Sequence, residues 1–409
     1  MISTLMSRSP AATAAVSSTP RRASAPLHGE MLSASDRAAA MTIWRELETA
    51  VLQDPAGGHV PVTVSHLWTA TWLATYGESV PHEFLVVRDG PTPVGIALLT
   101  RGVGRRAGPF RLRTRHVGTA GEDPREGACV EYNDLLALPG YKAAVQEQLL
   151  STVLRDKSWG TFCLDGFTPE TLHGFLQDLP GFETHYRDSP YYDLRATRER
   201  GCDFLEPLGR STRQNLRRLL RKYGDVDCEW ADTAQQAQDI LAELTELHQA
   251  RWESAGRPGA FHSPRFRAFQ RELIEAAFQA PAERRPVVLF RVHHQGETVG
   301  CLMHLVDGRR LLGYLTGFAD FRAKPSPGLV SHALGLGAAL QRGYDAYDFL
   351  VGDFRYKTNL STNVNQLVWA TWTRTTLQSR TIALARNLKR RWTNFRSGGL
   401  SLPAPDVAE

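Results

Sequence analysis

Phe84–Leu99 reads FLVVRDGPTPVGIALL, and Leu289–His304 reads LFRVHHQGETVGCLMH. At a constant offset of 205 the two stretches align, with Val94-Gly95 over Val299-Gly300. Each is a pair of β-rich runs joined by turn chemistry, Gly-Pro-Thr-Pro in the first and Gln-Gly in the second. Further on, CLDG at 163–166 aligns with FLVG at 349–352 at an offset of 186, so the connecting pieces differ in length. An internal duplication of α/β elements follows.

The flanking sequence repeats the same order. Met41, Trp44, Leu47 and Val51 recur at helical spacing between Asp36 and about Leu52, and Ser65 starts a short second helix that Gly77 ends. After the two strands come strand-like material to Leu136, a helix over 141–156, the strand TFCLDGF, a helix near 169–178 and a strand near 182–195. In the second half, VDCEWAD reads as a strand, and a helix over 234–254 carries Ile240, Leu241, Leu244 and Leu247 on one face. Another helix runs from Ser263, with Pro264 at its first position, to about Phe278. PVVLFRVH, VGCLMHLV and LLGYLTGF are strands; a helix over 328–342, the strand YDFLVG and the strand NQLVWATWTR close the set.

The chain has 409 residues, 42% hydrophobic and 22% charged, which excludes a wholly disordered protein and suits two cores. No run approaches the roughly 18 apolar residues of a spanning helix, so integral membrane contact is not expected. The net charge of +5 is unevenly placed. RSTRQNLRRLLRK at 210–222 has six basic residues and no acidic one, the tail 379–409 is net +4, and the rest of the chain is −5. Such local basicity points to anion-facing surfaces and argues against general nucleic-acid affinity, although two solvated amphipathic helices would look the same. The five cysteines form no C-x-x-C pair and none lies near His at zinc-ligand spacing, so no metal is expected and a reducing cytoplasm fits.

The order helix–helix–strand–strand–strand–helix–strand is that of GNAT acyltransferases. With LHQARWESAGRPGAF (247–261), SPGLVSHALGLGAAL (326–340) and YDFLVGDFRYK (347–357), residues 40–375 resemble the CelD-type acyltransferases linked to polysaccharide biosynthesis, relatives of the FemABX peptidyl transferases. The fold class expected is therefore α/β (α+β), with tandem GNAT-like lobes, each a mixed, mostly antiparallel sheet flanked by helices. The expected divisions are a flexible leader at 1–33, a degenerate lobe at 34–200, a GNAT acyltransferase lobe at 201–378, and a basic helical tail with a disordered end at 379–409.

Ser326-Pro327-Gly328 has the chemistry of a helix start: Ser as N-cap, Pro in the first turn, and Gly where a ligand approaches the backbone. The N–H groups of Gly328, Leu329 and Val330 would face an anion, with Arg322 and Lys324 upstream adding charge. The resemblance implies that this start binds the pyrophosphate of acyl-CoA (acetyl-CoA). The family's usual Gln/Arg-x-x-Gly-x-Gly/Ala loop is absent, and an ordinary capped helix is the alternative. The resemblance also makes Tyr356 the group that protonates the CoA thiolate, with Lys357 holding the developing oxyanion or the acceptor. Asp348 and Asp353 would orient Lys357 or accept the amine proton, or form a structural salt bridge. His304 is either a general base or a satisfied core histidine. Arg251, Trp252 and Phe261 lie where these enzymes cover the acceptor, and suit a sugar by stacking and polar contact or simple loop packing.

The first lobe has no Ser-Pro-Gly start and no Tyr-Lys after Gly166, so it reads as a supporting copy. The basic stretch 210–222 would take an anionic ligand: CoA phosphates, a glycan, a lipid or tRNA. The tail, with Leu384, Leu388 and Trp392 among basic residues, suits a membrane surface or its own core. The expectation is a cytoplasmic N-acyltransferase moving an acyl group from acyl-CoA to an amine of a sugar or small metabolite. The alternatives are FemABX-like aminoacyl transfer from tRNA, or a non-catalytic accessory of a polysaccharide machine.

Overall fold

A computed structural model of the chain describes residues 27–320, 325–376, 379–382 and 384. Most of the expected leader and tail lie outside the described residues. The leader's last part does not: His28–Ser33 form strand β1, paired antiparallel with β2 (His82–Asp89) at the sheet edge. Helix α1 (Arg37–Leu52) buries Met41, Trp44, Leu47 and Val51, as their spacing predicts. In α2 (His66–Tyr76) the Ser65 side chain accepts the Trp68 N–H at 3.2 Å.

The first half continues through β3 (Thr92–Arg101), β4 (Arg106–Ala107), β5 (Phe110–Arg111), β6 (Thr114–Val117) and β7 (Leu136–Ala137). It ends with α3 (Lys142–Arg155), β8 (Thr161–Phe167), α4 (Pro169–Asp178) and β9 (Glu183–Asp193). The second half opens with α5 (Leu194–Glu199), α6 (Arg210–Tyr223), β10 (Asp227–Trp230), α7 (Ala234–Ser254) and α8 (Pro264–Phe278). It closes with β11 (Val287–His294), β12 (Glu297–Asp307), β13 (Arg310–Phe318), α9 (Pro327–Gln341), β14 (Ala346–Asp348), α10 (Arg355–Leu360) and β15 (Asn363–Thr373).

The duplication holds at the level of register. Val87 faces Gly95 in the first lobe and Val292 faces Gly300 in the second, and each ladder shifts immediately afterwards. A Cβ on Gly95 would lie 2.4 Å from Val145 Cγ2 of α3, and one on Gly300 would lie 2.3 Å from Ser331 Oγ of α9. Each glycine thus lets a helix cross the sheet at a distance no side chain permits.

One sheet runs through both lobes in the order β1-β2-β3-β6-β8-β15-β9-β14-β13-β12-β11-β10. Here the structure departs from the expected boundary at 200/201, because the halves exchange their closing strands. β15 lies antiparallel to β8 of the first lobe, β9 lies antiparallel to β14 of the second, and the two pair with each other. A strand's own apolar pattern fixes which faces are buried but not its neighbour, which depends on cross-strand contacts.

Alternate residues of β2 and β3 enter two cores. Phe84, Val86 and Ile96 join the side chains of α1, α2, α7 and α8, while Leu85, Val87 and Leu99 join those of α3 and α4. The first core is continuous between lobes: Trp68 on α2 meets Phe269 on α8 edge-on at 5.1 Å. On the opposite face of the second lobe, α6 and α9 pack over β11 and β12 through Leu219, Val330, Phe290 and Leu302.

Candidate active site

β13 and β14 run parallel only where Arg310–Leu312 meet Ala346–Asp348, and β13 then continues to Phe318. Beyond the last pair lies a cleft of about 530 Å³, lined by Phe318 from β13 and by Asp353, Phe354 and Tyr356 after β14. Its other walls include the first two turns of two helices: Ser211, Thr212 and Asn215 of α6, and Gly328, Leu329 and His332 of α9. Two helix N-termini facing one cavity give it a positive field. The equivalent gap in the first lobe is closed. Asn133, fully buried, donates from its backbone N–H to Gly166 O at 2.9 Å and from Nδ2 to Val117 O at 3.0 Å and Asp165 O at 3.2 Å. It staples β6 to β8 where β13 and β14 diverge.

At the start of α9 the details differ from the sequence reading. Ser326 adopts a left-handed conformation (φ 48°) and its side chain caps nothing. The Val330 N–H is taken by Ser326 O at 3.1 Å, which leaves Gly328 and Leu329 as the amides at the cleft. Gly328 is needed less for a ligand than for Phe318, whose ring atoms lie 3.1 Å from where a Cβ would stand. Arg322 and Lys324 lie outside the described residues.

Tyr356 stacks on His332, with ring centroids 4.9 Å apart and planes 17° apart, and Phe354 stacks on Tyr356 at 6.0 Å. Burial pushes the Tyr356 hydroxyl up to about 12, and the Arg251 charge works against that. Arg251, exposed at the end of α7, also lines the cleft. Its neighbour Trp252 is half-buried beside His248. Phe261 is fully buried, edge-on to His248 at 5.2 Å and to Phe266 at 5.3 Å, so it belongs to the core and not to an acceptor surface.

Lys357 is buried and its Nζ donates to Leu350 O at 3.1 Å and Val351 O at 3.0 Å. Burial lowers its ammonium to about 8. Asp348 does not contact it. The Asp348 carboxylate is fully buried and accepts from Tyr132 Oη at 2.5 Å, Ser189 Oγ at 2.7 Å and the Leu350 N–H at 2.8 Å. That is a structural hub joining three parts of the chain. His304 is also a core residue, 2% exposed with its ring 4.7 Å from that of Tyr347, and burial lowers its pKa to about 3.

Sequence reasoning missed His332. Its Nδ1 meets Tyr347 Oη at 2.9 Å, while its Nε2, buried in the cleft wall, has no hydrogen-bond partner among the described residues. Burial, with the Lys357 charge adding to it, holds the imidazole neutral. The signal was present: His332 follows Gly328 by four residues and so shares its helix face. The turn at Ser211-Thr212 was hidden by the arginines around it.

Residues 210–358 match the family model described as an acetyltransferase (GNAT) domain. No curated protein matches the sequence. Among solved structures, FemX is similar over 80% of this chain and 95% of its own, at 11% identity and a TM-score of 0.52. L-PGS from Bacillus licheniformis is similar over 85% of this chain and 96% of its own, at 11% identity and a TM-score of 0.52. The C-terminal domain of a putative lysylphosphatidylglycerol synthetase from Agrobacterium fabrum is similar over 88% and 98%, at 12% identity and a TM-score of 0.50. At such identities the likeness is one of fold. The match to an acetyltransferase (GNAT) domain thus falls within the second lobe of a two-lobed frame, and acyl transfer is the class of reaction that this match suggests. No helix among the described residues is long and apolar enough to cross a membrane.

Proposed function

We propose that the chain transfers an acyl group from acyl-CoA to an amine of a sugar or small metabolite. The observation that carries this reading is the cleft where α6 and α9 both begin, with Tyr356 stacked over His332 in its wall. In this reading the amides of Gly328 and Leu329, with Ser211 and Thr212 opposite, bind the donor's phosphates. Phe354, 52% exposed in the cleft, offers a stacking face for a planar ring. Two of the three Lys357 N–H donors go to carbonyls, and the third, with the charge, serves the developing oxyanion. The Tyr356 hydroxyl, still protonated at neutral pH, gives its proton to the leaving thiolate. Arg251 supplies polar contact to the acceptor.

The test is thermal unfolding against a panel of acyl-CoAs, followed by turnover of Tyr356→Phe. A bound donor at a hundred times its Kd stabilises by about 2.7 kcal/mol. Tyr356→Phe keeps the ring stack and the donor protection but lowers turnover by about 10²-fold or more. Full turnover in this variant refutes the assignment of the proton donor, and no protection by any acyl-CoA refutes the donor itself.

A second reading is supported by the exposed Arg217, Arg218, Arg221 and Lys222 of α6, a helix whose first turn lines the cleft. That polybasic surface suits aminoacyl transfer from tRNA. Activity abolished by ribonuclease, with no acyl-CoA protection, would favour it.

A further inference from the structure

The acceptor amine must lose a proton as it attacks; Asp353 in the cleft wall is exposed to solvent, and the buried groups considered so far cannot take the proton. Asp348 has its oxygens occupied by Tyr132, Ser189 and the Leu350 N–H. His304 is enclosed in the core, and His332 stands in the donor wall behind Tyr356. A carboxylate does reach the loop between β14 and α10, and it comes from the other lobe. The Val351 N–H donates to Glu131 Oε2 at 2.9 Å, and no other hydrogen bond or ion pair to Glu131 occurs among the described residues. The same loop carries Asp353, Phe354 and Tyr356 in the cleft wall, and its Leu350 and Val351 carbonyls hold Lys357 Nζ.

The placing of Glu131 is tightly determined. Its neighbour Tyr132 donates to Asp348 at 2.5 Å, accepts from Asn365 Nδ2 at 3.1 Å, and lies under the Arg310 guanidinium at 4.2 Å. Behind it, a Cβ on Gly166 would stand 2.3 Å from Val130 O and 3.1 Å from Glu131 Cα, so only glycine lets this segment pass. Cys129 and Tyr132 beside Glu131, and Leu350 beside Val351, all have positive φ (52°, 56° and 58°) although none is glycine. Such conformations persist only where the surroundings enforce them.

We propose that Glu131 is the general base of the second lobe's reaction, supplied across the lobe boundary by the lobe whose equivalent gap Asn133 closes. The inference rests on the reading of this domain as an acyltransferase to amines, but not on the identity of the donor. The amine lone pair forms the C–N bond to the acyl carbon, and the ammonium proton passes to the Glu131 carboxylate. The bond from the acyl carbon to the leaving atom, a thioester sulfur or an ester oxygen, breaks, and that atom takes the Tyr356 proton. Loss of one proton from Glu131 to solvent and gain of one by Tyr356 restore both groups. The charged groups facing Glu131 are Lys357 on α10, Asp348 on β14 and Arg187 on β9. Burial raises its carboxyl to about 7, the range in which a base works best at neutral pH.

Glu131→Gln is the informative variant because its amide oxygen still accepts the Val351 N–H. Two measurements are paired. In donor-free protein, the pH dependence of Lys357 acetylation by acetic anhydride, read by mass spectrometry, gives the ammonium's midpoint. Removing the Glu131 charge, which raises that midpoint in the wild type, is expected to move it below about 8. In turnover, kcat for the amine is expected to fall by about 10²-fold or more while donor protection is kept, and the fall in rate below about pH 7 should disappear. Glu131→Asp is expected to keep that limb at reduced rate, and carries the same test if Glu131→Gln does not fold. An unchanged Lys357 midpoint refutes the pair without reference to any donor. Retention of the acidic limb in Glu131→Gln refutes the base. A wild-type protein inert toward acyl-CoA, with the Lys357 midpoint lowered in Glu131→Gln, refutes the donor and supports the pair.

Discussion

Replacing Gly300 with alanine puts a Cβ 2.3 Å from Ser331 Oγ, 2.9 Å from Phe318 Cδ1 and 3.1 Å from Ser331 Cβ. Comfortable contact between carbon atoms begins near 3.5 Å, so α9 or β12 must give by roughly half an ångström or more. Ser331 Oγ can turn away from its bond to Pro327 O, but its Cβ cannot. Overpacking of this kind costs about 1–3 kcal/mol. Gly95→Ala is the matched control, with the new Cβ 2.4 Å and 3.0 Å from the two methyl carbons of Val145. A β-branched neighbour is stiff, so its cost lies toward the upper end of the same range. Urea unfolding should therefore show both variants destabilised to a similar degree. Acyl-CoA protection should separate them, because only Gly300→Ala moves the helix whose first amides line the cleft. Adding Ser331→Gly to Gly300→Ala should restore part of the donor protection, the contact with Phe318 remaining, even though glycine within a helix itself costs about 1 kcal/mol. Unchanged unfolding in both variants refutes the packing argument. Equal loss of donor protection in both refutes the division of labour between the lobes.

His304 gives a pH-dependent prediction. Burial holds its folded pKa near 3, below the ordinary 6.5, so the unfolded chain binds the extra proton and stability is lost as pH is lowered from 6.5 toward 3. From pH 6.5 to 4.5 the loss is about 2–3 kcal/mol at about 1.4 kcal/mol per pH unit, and His304→Met should remove that share of the slope in unfolding curves. A slope identical to the wild type would show that His304 does not carry it. The exchanged strands give another: residues 201–378 alone lack β9, so β14 loses its antiparallel neighbour and β15 loses both of its partners. The fragment is expected to be insoluble or to unfold without cooperativity, and to recover when co-expressed with residues 1–200; cooperative unfolding of the fragment by itself would overturn this.

The two lobes were readable because Val94-Gly95 and Val299-Gly300 occupy the same place in two hairpins, and the glycine is held there by a crossing helix. Helix starts at Ser65 and Ser263 were readable because an N-cap acts within four residues. Ser326 was misread by the same logic, since a left-handed backbone turns the side chain away from the amides it would cap. The exchange of β9 and β15 was not readable at all, because neither the polar, largely exposed β9 nor the mixed β15 carries a pattern that names its neighbour. Phe261, His304 and Asp348 carry chemistry attractive to a site, but whether such groups face a cleft or a core depends on contacts far apart in sequence. Glu131 lay in a loop without periodicity, and it acquires meaning only from Val351, 220 residues away.

The loop after β14, which carries Tyr356 and Lys357, is held largely by the first half of the chain. Ser189 on β9 and Tyr132 fix Asp348 at its start, and Glu131 fixes Val351. Reacting groups have to be held within about 0.5 Å of their working positions, and loops achieve this only through bonds to rigid neighbours. The exchanged strand β9 supplies such a neighbour directly, because it enters the second lobe's sheet beside β14. The first lobe's equivalent gap is stapled shut by Asn133, and its 131–133 segment reaches both the staple and the other lobe's loop. Closing one site and bracing the other are therefore done by three consecutive residues. Closure of the gap between β6 and β8 and dependence of the second lobe on the first are two consequences of the same segment's path.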